Sequence, residues 1–153
     1  MVEKSHFHLL SHLVVESESE VGVSTLADQL DWSAGHTSRI VSELEAYGYV
    51  QTKRSGRQKL VSPTDIEPIE QLEGLLTEYS HMDLPDLIAG AGLLMLYYLD
   101  QGRTATELAE LSGVSQATIY RRLDDFQRVG VVGKSKSQYR LNDPFAVLAP
   151  IAR

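Results

Sequence analysis

Two stretches of the chain are basic although the protein as a whole is acidic. The 153 residues carry a formal net charge of −7, whereas residues 33–62 sum to +3 and residues 115–142 to +4. The cations of these stretches are Arg39, Lys53, Arg54, Arg57, Lys59, Arg121, Arg122, Arg128, Lys134, Lys136 and Arg140. Basic side chains grouped in this way bind phosphate groups, and an acidic remainder opposes loose binding elsewhere. The pattern predicts two local surfaces that attract a polyanion.

Chemistry of other kinds finds little support in the sequence. The chain has no cysteine, which excludes disulfides, thiol nucleophiles and Cys-ligated metals. Neither a Walker loop nor GxGxxG, GxSxG or HExxH occurs. His8 and His12 have a spacing suited to a metal, but no carboxylate or cysteine lies in an obvious partner position. We therefore expect no enzymatic activity, no cofactor and no metal site.

The distribution of apolar residues favours a soluble, cytoplasmic protein. The longest apolar run, residues 88–99, has 12 residues including two glycines, whereas a membrane-spanning helix needs about 20. The first residues lack the order of a signal peptide. At roughly 100–200 residues per domain, the length allows one domain or two small ones. We expect no membrane partner.

An internal repeat organises the chain. Shifted by 82 residues, residues 26–50 align with residues 108–132 without a gap, and the basic stretches then fall at equivalent places. The shift pairs Leu26 with Leu108, Ser33 with Ser115, Arg39 with Arg121, Val41 with Leu123, Leu44 with Phe126 and Gly48 with Gly130. A repeat of this kind predicts one supersecondary unit that occurs twice.

Hydrophobic periodicity and cap residues predict the same order of elements in each copy. First helices are predicted at about residues 6–15 and 85–99, and second helices at 25–30 and 105–111. The third helices are predicted to begin at the N-caps Ser33 and Ser115 and to end at Gly48 and Gly130. Thr104 and Glu107 form a predicted capping box.

The third helices and the segments after them complete each copy. Their apolar faces are predicted to bury Thr37, Val41, Leu44, Ile119, Leu123 and Phe126. Two short strands joined by a tight turn follow, over residues 49–62 and 131–141. A helix, a helix-turn-helix and a β-ribbon are the elements of a winged helix, so each copy is predicted to be one.

Particular motifs extend this prediction to a family resemblance. Residues 24–64 resemble a winged helix of the multiple-antibiotic-resistance-regulator (MarR) type, through Ser38-Arg39-Ile40-Val41, Leu44-Glu45, Gly48-Tyr49-Val50, Arg54-Ser55-Gly56-Arg57 and the segment from Lys59 to Thr64. Residues 104–142 are similar to the helix-turn-helix of many prokaryotic winged regulators, through Leu108-Ala109, Val114-Ser115, Thr118-Ile119-Tyr120-Arg121 and Gly130-Val131-Val132. The resemblance implies a prokaryotic transcriptional regulator, with an archaeal source left open.

The predicted fold class is mainly α with short β-wings. Residues 1–64 and 83–153 are predicted to be winged-helix domains, the second with a C-terminal tail, and residues 65–82 a linker helix. The apolar stripe of the linker is formed by Ile66, Ile69, Leu72, Leu76 and Tyr79. This stripe either packs on the domains or pairs with its mate in a homodimer, and the sequence leaves both interpretations open.

Winged-helix geometry predicts which side chains would meet double-stranded DNA. The third helix enters the major groove, and the wing contacts the backbone or the minor groove. Base contacts are predicted from His36, Ser38, Arg39, Gln116, Thr118, Tyr120 and Arg121, with Ser33 and Ser115 at the helix starts. Backbone and minor-groove contacts are predicted from Lys53, Arg54, Arg57, Lys59, Arg122, Lys134 and Lys136. The hypothesis is a sequence-specific transcriptional regulator, in which the second helix reads bases better and the first wing carries more cations.

Two other functions stay open at this stage. A protein-interaction module of a scaffold would dock its partner on the third helices, although the outward residues of these helices are polar. A ligand-sensing regulator would hold its effector in a pocket between the domains. Such a pocket would be formed by Tyr79, Met95, Tyr97 and Tyr98, for which core packing is the simpler interpretation.

Overall fold

The chain folds into two compact units. A computed structural model describes residues 3–16, 20–80, 87, 91–143 and 145–152. One unit comprises Ser5–Glu78, and the other begins at Tyr79. In the described ranges each unit is mainly helical and has a three-stranded antiparallel sheet. No helix within these ranges is long and apolar enough to cross a bilayer.

The first unit consists of helices around a small sheet. Its elements are α1 (Lys4–Glu16), β1 (Val21–Gly22), α2 (Val23–Leu30), α3 (Ala34–Tyr47), β2 (Val50–Ser55), β3 (Gln58–Pro63) and α4 (Glu67–Glu78). Strand β3 lies between β1 and β2. Strands β2 and β3 pair over six positions and form the first hairpin, which turns at Gly56 and Arg57.

The second unit repeats this order. Its elements are α5 (Ala91–Tyr98), β4 (Arg103–Thr104), α6 (Ala105–Ser112), α7 (Gln116–Arg128), β5 (Val132–Ser135), β6 (Gln138–Leu141), a 3-10 turn (Phe145–Val147) and α8 (Leu148–Ala152). Both bounds of α2 and of β1 recur 82 residues later in α6 and β4. Strands β5 and β6 form the second hairpin, which pairs over four positions and is therefore shorter. Of the helix predicted at 85–99, residues 85, 86 and 88–90 lie outside the described residues.

Local hydrogen bonds explain where the third helices begin and end. The Ser33 and Ser115 hydroxyls accept from the N–H groups three residues later, and Gly48 and Gly130 adopt positive φ angles of 84° and 86° at the helix ends. Glycine adopts this left-handed conformation without steric cost. The predicted N-caps and the C-cap Gly48 are therefore confirmed, whereas α7 ends at Arg128 with Val129 as its C-cap, and the left-handed Gly130 follows that cap.

The predicted inward faces of α3 and α7 form part of the core. Val41 and Leu44 are fully buried, as are Ile119 and Phe126. Burial of a large apolar side chain contributes about 1.5–3 kcal/mol, so these faces hold the third helices in place. Their opposite faces are left at the surface, where a partner can reach them.

The helix α4 covers its apolar face within the chain. It starts at Glu67 rather than near Asp65 and belongs to the first unit. Ile69, Leu72, Leu75 and Leu76 are all buried. Of the predicted stripe, Ile69, Leu72 and Leu76 are therefore buried, whereas Ile66 just before the helix is 39% exposed.

Candidate nucleic-acid interface

A cleft in the first unit lies between the first hairpin and helices α2 and α3. Its volume is about 230 Å³. We call it the hairpin cleft, and its lining residues are Gly22, Val23, Ser24, Ser38, Arg54, Arg57, Gln58 and Lys59. No lining residue described here is acidic. The cleft therefore combines three cations with hydroxyl and amide groups, which is a composition suited to a phosphate.

The hairpin cations are held close together by strand pairing. Arg54 lies directly opposite Lys59 across the two strands, so both side chains project from the same face. Like charges in this relation repel and destabilise a hairpin, because their Cβ atoms are about 5 Å apart. Within the described part of the chain, neither side chain forms an ion pair. An anion bound between them would relieve the repulsion.

The first turn of α2 adds a second attraction for an anion. The helix begins at Val23, and its N-cap is Gly22, which has no side chain to accept from the first N–H groups. Such N–H groups carry partial positive charge and bind anions. Since Gly22, Val23 and Ser24 line the hairpin cleft, the helix start and the cations act on the same space.

A carboxylate of α3 fixes the hairpin against the helix. Glu45 accepts hydrogen bonds from the N–H and the hydroxyl of Thr52, at 3.0 and 2.6 Å. At the far end of the hairpin, the Thr64 hydroxyl donates to the Gly48 carbonyl at 2.7 Å. These hydrogen bonds set the position of the hairpin relative to Ser38 on α3, and so determine the width of the cleft.

The predicted base-contacting arginine of α3 is already engaged. Arg39 Nη1 lies 3.0 Å from Glu43 Oε1, and Glu43 Oε2 lies 2.6 Å from Nε2 of the buried His6. The His6 hydrogen bond, and after it the Arg39 guanidinium, lower the pKa of Glu43 below its ordinary value of 4.5. His36 packs its ring against Trp32 and lies 3.4 Å from Arg39. Arg39 is therefore held along the helix by neighbours on both sides.

Two other predicted residues of the first unit lie apart from the hairpin cleft. Lys53 follows the alternation of the strand to the opposite face from Arg54, where its ammonium binds Glu20 at 2.9 Å. Ser33 uses its hydroxyl to cap α3. The structure thus brings Ser38 together with the three other hairpin cations, whereas the described lining of the cleft does not include Ser33, His36, Arg39 or Lys53.

The second unit exposes cations on its third helix as well as on its hairpin. Tyr120 is 52% exposed and Arg121 is exposed beside it on α7. Gln116 lies one turn earlier and makes only a long contact of 3.4 Å with Thr106. Among the described residues, Arg121 forms no ion pair. Its guanidinium is free to contact a ligand.

The remaining predicted residues of α7 have structural partners. Ser115 accepts from the Thr118 N–H, and its hydroxyl donates to the Thr118 hydroxyl at 3.0 Å. Arg122 was predicted as an exposed phosphate anchor, whereas the structure places it half-buried on the inner face. Its Nη1 lies 3.5 Å from the Leu87 carbonyl, and its buried Nε has no hydrogen-bond partner among the described residues. The reason is helical spacing, since position 122 shares the face of Ile119 and Phe126.

The cations of the second hairpin are also placed differently from each other. Lys134 lies with its ammonium 5.4 Å from the centre of the Tyr139 ring, a distance at which a cation is attracted to the ring face. Lys136 occupies the hairpin tip with a φ of 60°, where the first hairpin has Gly56 at 63°. A left-handed conformation costs a non-glycine residue about 1–2 kcal/mol. The exposed tip therefore keeps a cation at the expense of some backbone strain.

The first unit matches a known but uncharacterised family. Residues 12–64 match the model of a domain of unknown function, DUF7343. The matched segment includes every residue described as lining the hairpin cleft. No curated protein matches the chain.

Sequence reasoning missed three contributors to the site. Ser24 was overlooked because α2 starts two residues before its predicted first residue. Glu43 lies four residues after Arg39, a spacing that favours an ion pair on a helix, so its role was detectable. The bond from Glu43 to His6 joins residues 37 positions apart, and no local sequence signal predicts it.

Proposed function

We propose that the protein is a transcriptional regulator that binds double-stranded DNA sequence-specifically. The observation that carries the proposal is the hairpin cleft, in which a third helix borders three hairpin cations that form no ion pair with the described residues, and in which no described lining residue is acidic. A DNA strand laid along such a surface would place phosphates against the cations. Cytoplasmic location and the absence of a catalytic step or cofactor belong to the same proposal.

The order of elements supports a winged-helix interpretation of each unit. A helix, a short strand, two helices and a hairpin occur in both, which is the order of winged helices, and the first resembles the MarR type. On this interpretation α3 and α7 enter major grooves, and the hairpins act as wings along the backbone.

The two units would divide the work between affinity and specificity. The first hairpin presents unpaired cations to phosphates, which raises affinity for any sequence. Helix α7 presents Arg121, Tyr120 and Gln116 to base edges, where arginine bonds guanine and glutamine bonds adenine through two hydrogen bonds each. Specificity would therefore depend mainly on the second unit.

Protein docking is the alternative that one observation favours. Tyr47 and Val129 occupy equivalent positions at the ends of the third helices, and each is 39% exposed. A protein partner would bury these side chains, although an interface of this kind usually needs a larger contiguous apolar patch. Most residues that line the hairpin cleft are polar or charged, which favours DNA over a protein partner.

Selection from a random duplex library tests the proposal. The full chain would be used at two salt concentrations, and the bound duplexes sequenced. We expect one enriched motif at both concentrations, with weaker retention at the higher one. Enrichment lost in an Arg121→Ala variant and kept in a Val129→Ser variant would support the assignment of α7. Binding without enrichment, abolished by salt, would contradict sequence-specific recognition.

A further inference from the structure

The outer faces of the two sheets carry clefts at equivalent positions. The first sheet cleft is lined by Glu20, Gln51, Thr52, Lys53, Leu60 and Ser62. The second sheet cleft is lined by Gly102, Gly133, Lys134, Ser135, Gln138, Arg140 and Asn142. The strand registers of the two sheets are equivalent, so each residue of the first cleft has a counterpart in the second. For example, Gln51 corresponds to Gly133, Leu60 to Gln138 and Ser62 to Arg140. The same surface of the fold is therefore lined by different side chains in the two units.

The first sheet cleft is largely occupied by its own side chains. Lys53 and Glu20 form an ion pair at 2.9 Å within it, so their charges neutralise each other. Leu60 adds an apolar group where the second unit has Gln138. The volume is about 200 Å³, and the cleft offers little unpaired chemistry to a ligand.

Two glycines open the second sheet cleft. Gly102 and Gly133 replace Glu20 and Gln51, and the volume rises to about 360 Å³. A Cβ atom at Gly102 would lie 2.9 Å from Gln138 Oε1, and one at Gly133 would lie 2.6 Å from Asn142 Oδ1. Neither glycine has a positive φ. Space above the sheet, rather than backbone conformation, is what these glycines provide.

The polar groups of this cleft have a defined arrangement. Gln138 Oε1 and Arg140 Nη2 lie 2.9 and 3.4 Å from the position that a Cβ atom would take at Gly102, so both border the same part of the cleft. Asn142 donates from Nδ2 to the Gly130 carbonyl at 3.1 Å, which leaves Oδ1 as an acceptor toward Gly133. Lys134 lines the cleft through its backbone, because its ammonium lies against Tyr139 on the other face. The cleft thus offers one guanidinium, one hydroxyl and two amide oxygens.

We propose that the second sheet cleft binds a small molecule that carries both a carboxylate and an amino group, such as an α-amino acid. The Arg140 guanidinium forms no ion pair within the described residues and matches a carboxylate through paired N–H donors. The amide oxygens of Gln138 and Asn142 accept from the ammonium. A volume of about 360 Å³ lies within the range of small-molecule sites.

Charge favours this ligand over a phosphate. The cleft has a single guanidinium, whereas a phosphate carries more negative charge and is usually bound by several cations. Asp100 and Asp143 line a neighbouring cavity together with Arg140, and their carboxylates oppose a multiply charged anion. The inference is independent of DNA binding, since it concerns a different surface of the hairpin and needs no DNA to be tested.

Nuclear magnetic resonance of the full-length protein provides the test. Each standard L-amino acid would be added singly to ¹⁵N-labelled protein at about 10 mM, enough to fill a site with a Kd near 1 mM. Acetate, methylammonium and inorganic phosphate would serve as partial probes. We expect at least one amino acid to shift the amide signals of Gly102, Gly133 and Ser135, and to leave that of Gln51 in place.

Two variants assign the shifts to the cleft. Arg140→Gln should weaken binding roughly tenfold or more, because a charged hydrogen-bonding partner is lost. Gly133→Gln, which installs the residue of the first unit, should abolish binding by filling the space. Gly74→Ala, whose new Cβ meets nothing within 4 Å, is the matched glycine control and should bind as the unaltered protein does.

Three outcomes would overturn the proposal. These are the absence of any shift with every amino acid, shifts that persist in Arg140→Gln, and shifts produced by phosphate but by no carboxylate. Arg140 is exposed, so its substitution leaves the fold intact and keeps the test decisive even where Gly133→Gln fails to fold.

Discussion

Arg39 and Arg121 occupy equivalent positions in the two units but have different surroundings. Arg39 is bound to Glu43, and Glu43 is bound in turn to the buried His6. At the position of Glu43 the second unit has Asp125, which pairs with Arg128 instead. Arg121 is thereby left unpaired in the described structure. An arginine at this position of the third helix is therefore restrained where the carboxylate four residues later binds it, and available where that carboxylate binds another residue.

The two hairpins differ in length and in how firmly each is held to the third helix of its unit. The first is longer and is joined to α3 by the hydrogen bonds between Glu45 and Thr52. Its Arg54, Arg57 and Lys59 form no ion pair with the described residues. The second is shorter, and the described residues contain no corresponding bond between Gln127 and Lys134. The comparison indicates that the first unit carries its available positive charge on a firmly held hairpin, whereas the second carries it both on its helix, at Arg121, and on its hairpin, at Lys136 and Arg140.

The largest difference that we expect between the two units concerns the equivalent positions 40 and 122. Each residue can be replaced by the one that the other unit has there. Ile40 is fully buried in the first unit, and Arg122 takes its place in the second. Ile40→Arg should lower the free energy of unfolding by roughly 3–5 kcal/mol, since an unpaired charge would be buried. Chemical denaturation monitored by circular dichroism measures this change. A loss below 1 kcal/mol would show that the site tolerates a charge.

The reverse exchange is the matched control. Arg122→Ile removes a buried Nε that has no partner, and should raise the free energy of unfolding by roughly 1–3 kcal/mol. It should leave DNA affinity unaltered, because the side chain faces inward. Weaker DNA binding in this variant would mean that Arg122 contacts DNA, as the sequence predicts.

Arg122 also illustrates which features the sequence could predict. The caps at Ser33 and Ser115, the capping box at Thr104 and the apolar faces of α3 and α7 all depend on neighbours within one or two turns. These features were predicted correctly from the sequence. Arg122 was predicted to be exposed because of its charge, although the spacing from Ile119 places it on the inner face.

The candidate site was less predictable because it depends on contacts between distant segments. The hairpin cleft joins Ser24 and Ser38 to Arg54, Arg57 and Lys59, and no local pattern brings α2 against the hairpin. Lys53 and Arg54 are neighbours in sequence but lie on opposite faces of a strand, where one is paired and the other is not. Strand alternation predicts that separation, but not the partner of Lys53.

Neutralisation of the first hairpin tests its role as the phosphate-binding element. The double variant Arg54→Gln, Arg57→Gln should weaken binding to every duplex alike and reduce the slope of log K against log salt by about 2. Lys53→Gln is the adjacent comparison, and should change the slope by less because Glu20 already binds its ammonium. Fluorescence anisotropy at several salt concentrations measures both. Equal slopes for the two variants would contradict the assignment of the hairpin cleft.

Truncation of the two helix arginines tests the difference between the units directly. Arg121→Ala should reduce discrimination between matched and mismatched duplexes by roughly 1–3 kcal/mol, the value of one paired base contact. Arg39→Ala should reduce it by less, since Glu43 competes for its guanidinium. Competition binding with single-base variants of the selected motif provides the measurement. A larger loss for Arg39→Ala would reverse the proposed division between the units.

Because Glu43 restrains Arg39 only in the first unit, the stability of that unit should depend on the ionisation of Glu43. Its pKa is lowered in the folded protein, first by the His6 hydrogen bond and then by Arg39, so folding favours the ionised carboxylate. The stabilisation is present above the ordinary value of 4.5 and is lost as pH falls through the lowered folded pKa. Glu43→Gln should therefore flatten the decline of stability with falling pH, and the second unit offers no such chain of contacts among its described residues.

Denaturation midpoints measured across this acidic range check the prediction. His6→Gln should flatten the same part of the profile, because it removes the largest cause of the lowered pKa, whereas Arg39→Gln should flatten it less. The Glu43→Gln variant should also strengthen DNA binding at neutral pH by releasing Arg39. An unaltered pH profile in both Glu43→Gln and His6→Gln would mean that Arg39 is not restrained, and that the contrast with Arg121 has another cause.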